Sequence, residues 1–75
     1  MEKQIKKQYT YYYPENKAIG DKLLHGDRIR VAMMSGCNVK YVYRVLLGER
    51  NNLKIVEAAK CLIKLQEAIE KAYNN

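Results

Sequence analysis

The stretch from Arg28 to Gly48, R-I-R-V-A-M-M-S-G-C-N-V-K-Y-V-Y-R-V-L-L-G, constrains the fold of this chain more than any other. Small and apolar residues recur at helical spacing on both sides of one glycine, Val31 and Ala32 before it and Val42 and Val45 after it. A residue without a Cβ takes positive φ at no steric cost, so Gly36 can end one helix and swing the chain into the next. Asn38, two positions later, is a residue type that caps a helix N-terminus. Ala32 is small enough to let two helices cross closely, and Val42 and Val45 face back onto it. The pattern predicts helices over about Arg28 to Ser35 and Asn38 to Leu47, with Gly48 closing the second. Val39, Lys40, Tyr41, Tyr43 and Arg44 are left facing outward. A core would not select that set of residues.

The flanking sequence completes an all-α fold, a compact bundle of about four helices containing this helix-turn-helix. Upstream, a helix can begin at Glu15, just after Pro14, and its apolar edge is Ile19, Leu23 and Leu24. Gly20 within it costs about 1 kcal/mol relative to Ala, so packing has to sustain the helix. It is expected to end at His25-Gly26, with Gly26 as the αL cap and Asp27 capping the next helix. That next helix should bury Ile29 and Ala32 and place one of Met33 and Met34 in the core and the other at its margin. Arg28 and Arg30 remain outside. Residues 1–14 read as an extended or flexible N-terminal arm, basic and rich in tyrosine, and 15–75 as the folded domain.

Downstream of a polar turn at Glu49-Arg50-Asn51-Asn52, a long helix is expected from near Asn52 to Tyr73. Ile55, Ala58, Leu62, Leu65, Ile69 and Ala72 follow a heptad-like spacing, and Val56, Ala59 and Ile63 make a second apolar line beside it. So small a body cannot cover all of this surface. Leu65, Ile69 and Tyr73 are therefore candidates for a homodimer contact. The alternative is that they fold back on the N-terminal tyrosines and leave a monomer.

The run V-A-M-M-S-G-C-N-V-K-Y-V-Y-R-V-L-L-G resembles the DNA-reading unit of the lac repressor family, V-A-x-x-A-G-V-S-x-x-T-V-S-R-V-L-N-G. It is also similar to the lambda repressor and Cro-like family, where G-V-S-x-x-Y-V-S-x-V-L-x-G-x-R-N is a common form, continued here by Glu49, Arg50 and Asn51. The resemblance implies that Val39, Lys40 and Arg44 touch base edges and that Tyr43 and Arg50 lie near phosphates. Tyr41 and Tyr43 stand where the lac form has small hydroxyl residues. Chemistry agrees with these roles: an arginine can fork onto guanine O6 and N7, and a valine can pack on a thymine methyl. Arg28 or Arg30 at the start of the preceding helix, and the amide of Asn51 in the polar turn, suit phosphate contact.

Charge and composition point the same way. The 75-residue chain carries a formal net charge of +6, which favours an anionic partner. No apolar run approaches the roughly 20 residues that span a bilayer, and the first residues lack the apolar region of a signal peptide, so a cytoplasmic location is expected. A core of this size leaves no room for a large enclosed ligand cavity, and no small-molecule ligand or cofactor is expected. Cys37 and Cys61 are too few and too far apart for a zinc site and read as small buried hydrophobes. His25 has no nucleophile or carboxylate pattern around it. With no Gly-rich phosphate loop or paired carboxylates either, no catalytic chemistry is expected. The sequence thus predicts sequence-specific double-stranded DNA binding by a small transcriptional regulator. The alternative is a helical protein-interaction module that docks through the exposed end of its last helix.

Overall fold

The computed structural model describes residues 12–74, and residues 1–11, which hold most of the expected arm, lie outside them. Four helices follow in chain order: α1 (Pro14–Asp21), α2 (Asp27–Ser35), α3 (Val39–Leu46) and α4 (Leu53–Asn74). Among the described residues there is no strand. Among these residues no helix is long and apolar enough to cross a membrane.

Proline starts α1 because its missing N–H is one the first helical turn leaves unused. Pro14 therefore belongs to the helix, not to the arm. The residue before it is also fixed, since the Tyr13 N–H donates to Gly48 O at 3.0 Å and ties the start of α1 to the end of α3. The helix stops at Asp21, short of the expected end at His25-Gly26. Its last turn tightens, with Lys22 N–H bonding Ile19 O and Leu23 N–H bonding Gly20 O. Gly26, at φ 86°, serves as the left-handed residue that opens α2 rather than the one that closes α1. Gly20 has a positive role in packing. A Cβ there would lie 2.5 Å from the carbonyl oxygen of Leu46, so α1 crosses α3 backbone to backbone.

The phase of α2 differs from the sequence expectation. Asp27, Val31 and Ala32 form its buried face, whereas Ile29 is 57% and Met33 78% exposed, and Met34 is exposed as well. The carboxylate of Asp27 explains the rotation. It does not cap α2; its Oδ2 accepts from Leu24 N–H and from Gln66 Nε2 of α4, both at 2.8 Å. Positions four and five residues after it then face the core, and Ile29, Met33 and Met34 turn outward.

The turn between α2 and α3 follows the sequence expectation. Gly36 ends α2 at φ 73°, its N–H bonding Ala32 O at 2.9 Å. Asn38 caps α3 through Oδ1, which accepts from Lys40 N–H at 2.8 Å. At the other end Gly48 adopts φ 91°. Gly48 N–H bonds Val45 O and Glu49 N–H bonds Arg44 O, the paired bonds of a Schellman ending.

Asn52 opens α4, its Oδ1 accepting from Ile55 N–H at 3.1 Å. The first half of α4 buries Ile55, Val56, Ala59 and Leu62 against Val31, Ala32, Val42, Val45 and Leu46, and these residues are the core. Leu65, Ile69 and Tyr73 of the second half are exposed. Cys37 packs half-buried against the core, but Cys61 is exposed, contrary to expectation, because it lies on the flank of α4 that the body does not reach.

Two substitutions test these junctions. Gly20→Ala gains about 1 kcal/mol of helix propensity but forces α1 away from α3, and overpacking of this kind costs about 1–3 kcal/mol. A net loss is expected, seen as a lower urea midpoint with unchanged slope; a stabilised protein would contradict the close crossing. Asn38→Ala is expected to lose about 1 kcal/mol by removing the cap of α3.

Candidate nucleic-acid interface

Three side chains, Val42, Val45 and Leu46, hold α3 in the body with almost no exposed surface. At about 100° per residue this fixes which positions face out. Lys40, Tyr43, Arg44 and Leu47 fall together in a sector of about 100° opposite the buried three, and all four are exposed. Leu47 was not among the residues singled out from sequence. Its signal was available, since it lies four positions from Tyr43 and three from Arg44, but it was assigned to the helix end. Two residues expected to be free are only half so. Val39 and Tyr41 flank the sector and pack partly against the core. The Tyr41 hydroxyl also reaches Asn51 O at 3.5 Å.

The arginines of α2 differ from each other. Arg28 is half-buried and committed inside the protein: its Nη2 donates to Gly20 O at 3.1 Å, and its guanidinium lies over the Tyr43 ring, 5.4 Å from the centroid. One side chain thus touches the end of α1 and braces the outward face of α3. Arg30 is exposed, 3.7 Å from Asp27 Oδ1, an ion pair at the surface on the arginine side.

The turn after α3 is positioned from below. Asn16 of α1 is buried, and its Nδ2 donates to Asn51 Oδ1 at 3.0 Å and to Arg50 O at 3.3 Å. The amide oxygen of Asn51, a candidate phosphate contact, therefore accepts a bond within the protein, and its NH₂ is the group that carries the donors a phosphate needs. Arg50 is exposed, with Nη1 donating to its neighbour's carbonyl, Glu49 O, at 3.1 Å.

Acidic groups bear on what this face can bind. Asp27 is only 3% exposed and is satisfied by the contacts already described. Asp21 pairs with Lys17 at 3.2 Å. Neither carboxylate lies on α3, whose exposed sector carries cations, an aromatic ring and one leucine. Among the described residues no group of three or more His, Cys, Asp or Glu side chains is placed to hold a metal ion. His25 is exposed in the turn between α1 and α2.

No family model, no curated protein and no solved structure matches the chain.

Proposed function

We propose that this chain is a sequence-specific double-stranded DNA-binding module, a small cytoplasmic transcription regulator that lays α3 in the major groove. The observation that carries the reading is the outward sector of α3. Lys40 and Arg44, one turn apart, flank Tyr43 on a short helix whose opposite face is locked into the core. A helix held this way presents its side chains with no backbone ordering cost at the moment of binding.

Each residue then has a role set by its position. Lys40, in the first turn, meets a phosphate or a base edge, and Arg44 forks onto guanine. Leu47 and the exposed edge of Val39 offer apolar contact to thymine methyl groups. Tyr43 approaches the backbone, held by Arg28 beneath it. Arg30 and Arg50, exposed on either side of the turn-helix unit, add phosphate contacts and release counterions. The reading assigns no catalytic chemistry. The protein-interaction alternative gains if Asp21, Asp27 and Glu49 interrupt the basic face: Asp27 is buried and Asp21 is paired with Lys17, which favours DNA, whereas Glu49 stays half-exposed beside Arg50, which favours the alternative.

The reading is tested by titrating the full chain into a random-sequence duplex pool, and then into a selected site, at two salt concentrations. Arg44→Ala is expected to weaken the selected site by about 1–3 kcal/mol while barely affecting random duplex. Lys40→Ala should weaken both, with the salt slope falling by about 1 for a phosphate contact. Unchanged affinity in both variants would remove α3 from the interface. Arg28 separates bracing from phosphate contact: as a brace, Arg28→Ala lowers affinity and leaves the salt slope unchanged, whereas a slope reduced by about 1 would make it a direct contact.

A further inference from the structure

We infer that the apolar face shared by α2 and the free end of α4 is a self-association surface, on which a second copy of this chain docks by two-fold symmetry. This inference does not depend on DNA binding. It begins with two features that the core leaves unexplained.

The first is a groove. Rotation of α2 by the buried Asp27 turns Ile29, Met33 and Met34 out, and together with Leu62 and Leu65 of α4 they line an open, mainly apolar channel between the two helices, with Arg30 at its edge. The second is a ridge. From Glu67 to Tyr73 every side chain of α4 is exposed, including Ile69 at 48% and Tyr73 at 87%. Charge is sorted around this stretch. At about 100° per residue, Lys60, Lys64, Glu67, Glu70 and Lys71 all fall within a sector of about 120°. The remaining arc from Cys61 to Tyr73 carries no charged residue.

That sorting selects the occupant. An acidic protein or an anionic membrane would be met by unpaired lysines and arginines on the docking face; the α4 arc has none, and Arg30 at the groove edge is paired with the buried Asp27 at 3.7 Å. Two copies of a chain with net charge +6 repel each other, and they approach most readily through a face that carries little of that charge. Shape selects it too, because the molecule carries both a groove and a ridge. In a two-fold pair the ridge of each copy, Ile69 and Tyr73, enters the groove of the other, so the contact is made twice and closes. Ile29, Met33, Met34, Leu65, Ile69 and Tyr73 expose apolar area on the order of 500 Å² per copy. This is the range of patches that mark interaction sites and a large part of the roughly 800 Å² one partner gives to a standard interface.

Sedimentation equilibrium of the full chain without DNA, from about 10 µM to about 1 mM, tests the inference. The wild type is expected to be dimeric at the upper end. Ile69→Glu in the ridge and Met33→Glu in the groove should each weaken association by at least about 30-fold, or about 2 kcal/mol at 1.4 kcal/mol per tenfold. Both residues are exposed, so helicity should hold, as should the melting temperature at the low end of the concentration range, where dimerisation adds no stability; Tyr73→Ser adds a variant with no new charge and the same expected direction. Mixing the two glutamate variants restores one intact ridge-groove contact and should recover part of the affinity. A wild type that stays monomeric throughout, variants that dimerise as well as wild type, or a mixture no better than its components would each overturn the inference.

Discussion

Burial of Val42, Val45 and Leu46 sets the rotation of α3, and the outward face of the molecule depends on it. Each of these side chains contributes about 1.5–3 kcal/mol when removed from water, against a total stability of about 3–5 kcal/mol for a domain this small. A rotation of α3 that hid Lys40 or Arg44 would expose at least one of the three and forfeit a large share of the fold. The outward face of α3 is therefore a consequence of the core. The same argument holds along the chain axis, since Asn38 fixes where α3 begins and the Gly48 turn fixes where it ends.

Polar contacts settle what apolar packing leaves open. A short helix with one small buried face can rotate by tens of degrees at little cost in area, and in α2 the carboxylate of Asp27 removes that freedom by bonding both the α1–α2 loop and α4. Asn16 does the same for the turn after α3, holding Asn51 and the Arg50 carbonyl so that the guanidinium is carried on a fixed backbone. Arg28 joins the end of α1 to the ring of Tyr43. Of Arg28, Arg30, Lys40, Arg44 and Arg50, the cations read from the sequence as surface contacts, it is the one that is half-buried.

The helices and the turn were legible because their signals are local. Positive-φ glycine, a capping asparagine and apolar spacing all act within a few residues, and Gly36, Asn38, Val42, Val45 and Gly48 stand as read. The errors have different causes. The early end of α1 is set by local bonds of Lys22 and Leu23 N–H to Ile19 and Gly20 O, whereas the exposure of Ile29 and Met33 and the role of Asp27 depend on a partner far along the chain. Gln66 lies thirty-nine positions from Asp27. Gly20 read as a helix weakness because its reason, the carbonyl of Leu46, is invisible locally. Within the candidate site, Lys40, Tyr43 and Arg44 were found by helical position alone, whereas the inward lean of Val39 and Tyr41 needed the core to be seen.

The measurement that reaches the central claim most directly is the amide spectrum of isotope-labelled protein titrated with a selected duplex. The account predicts that the largest shifts cluster on Val39 to Leu47 and on Arg28 beneath Tyr43, with the core amides of α4 little moved. Shifts confined to the far end of α4, or no shift at duplex concentrations that saturate a specific site, would contradict it.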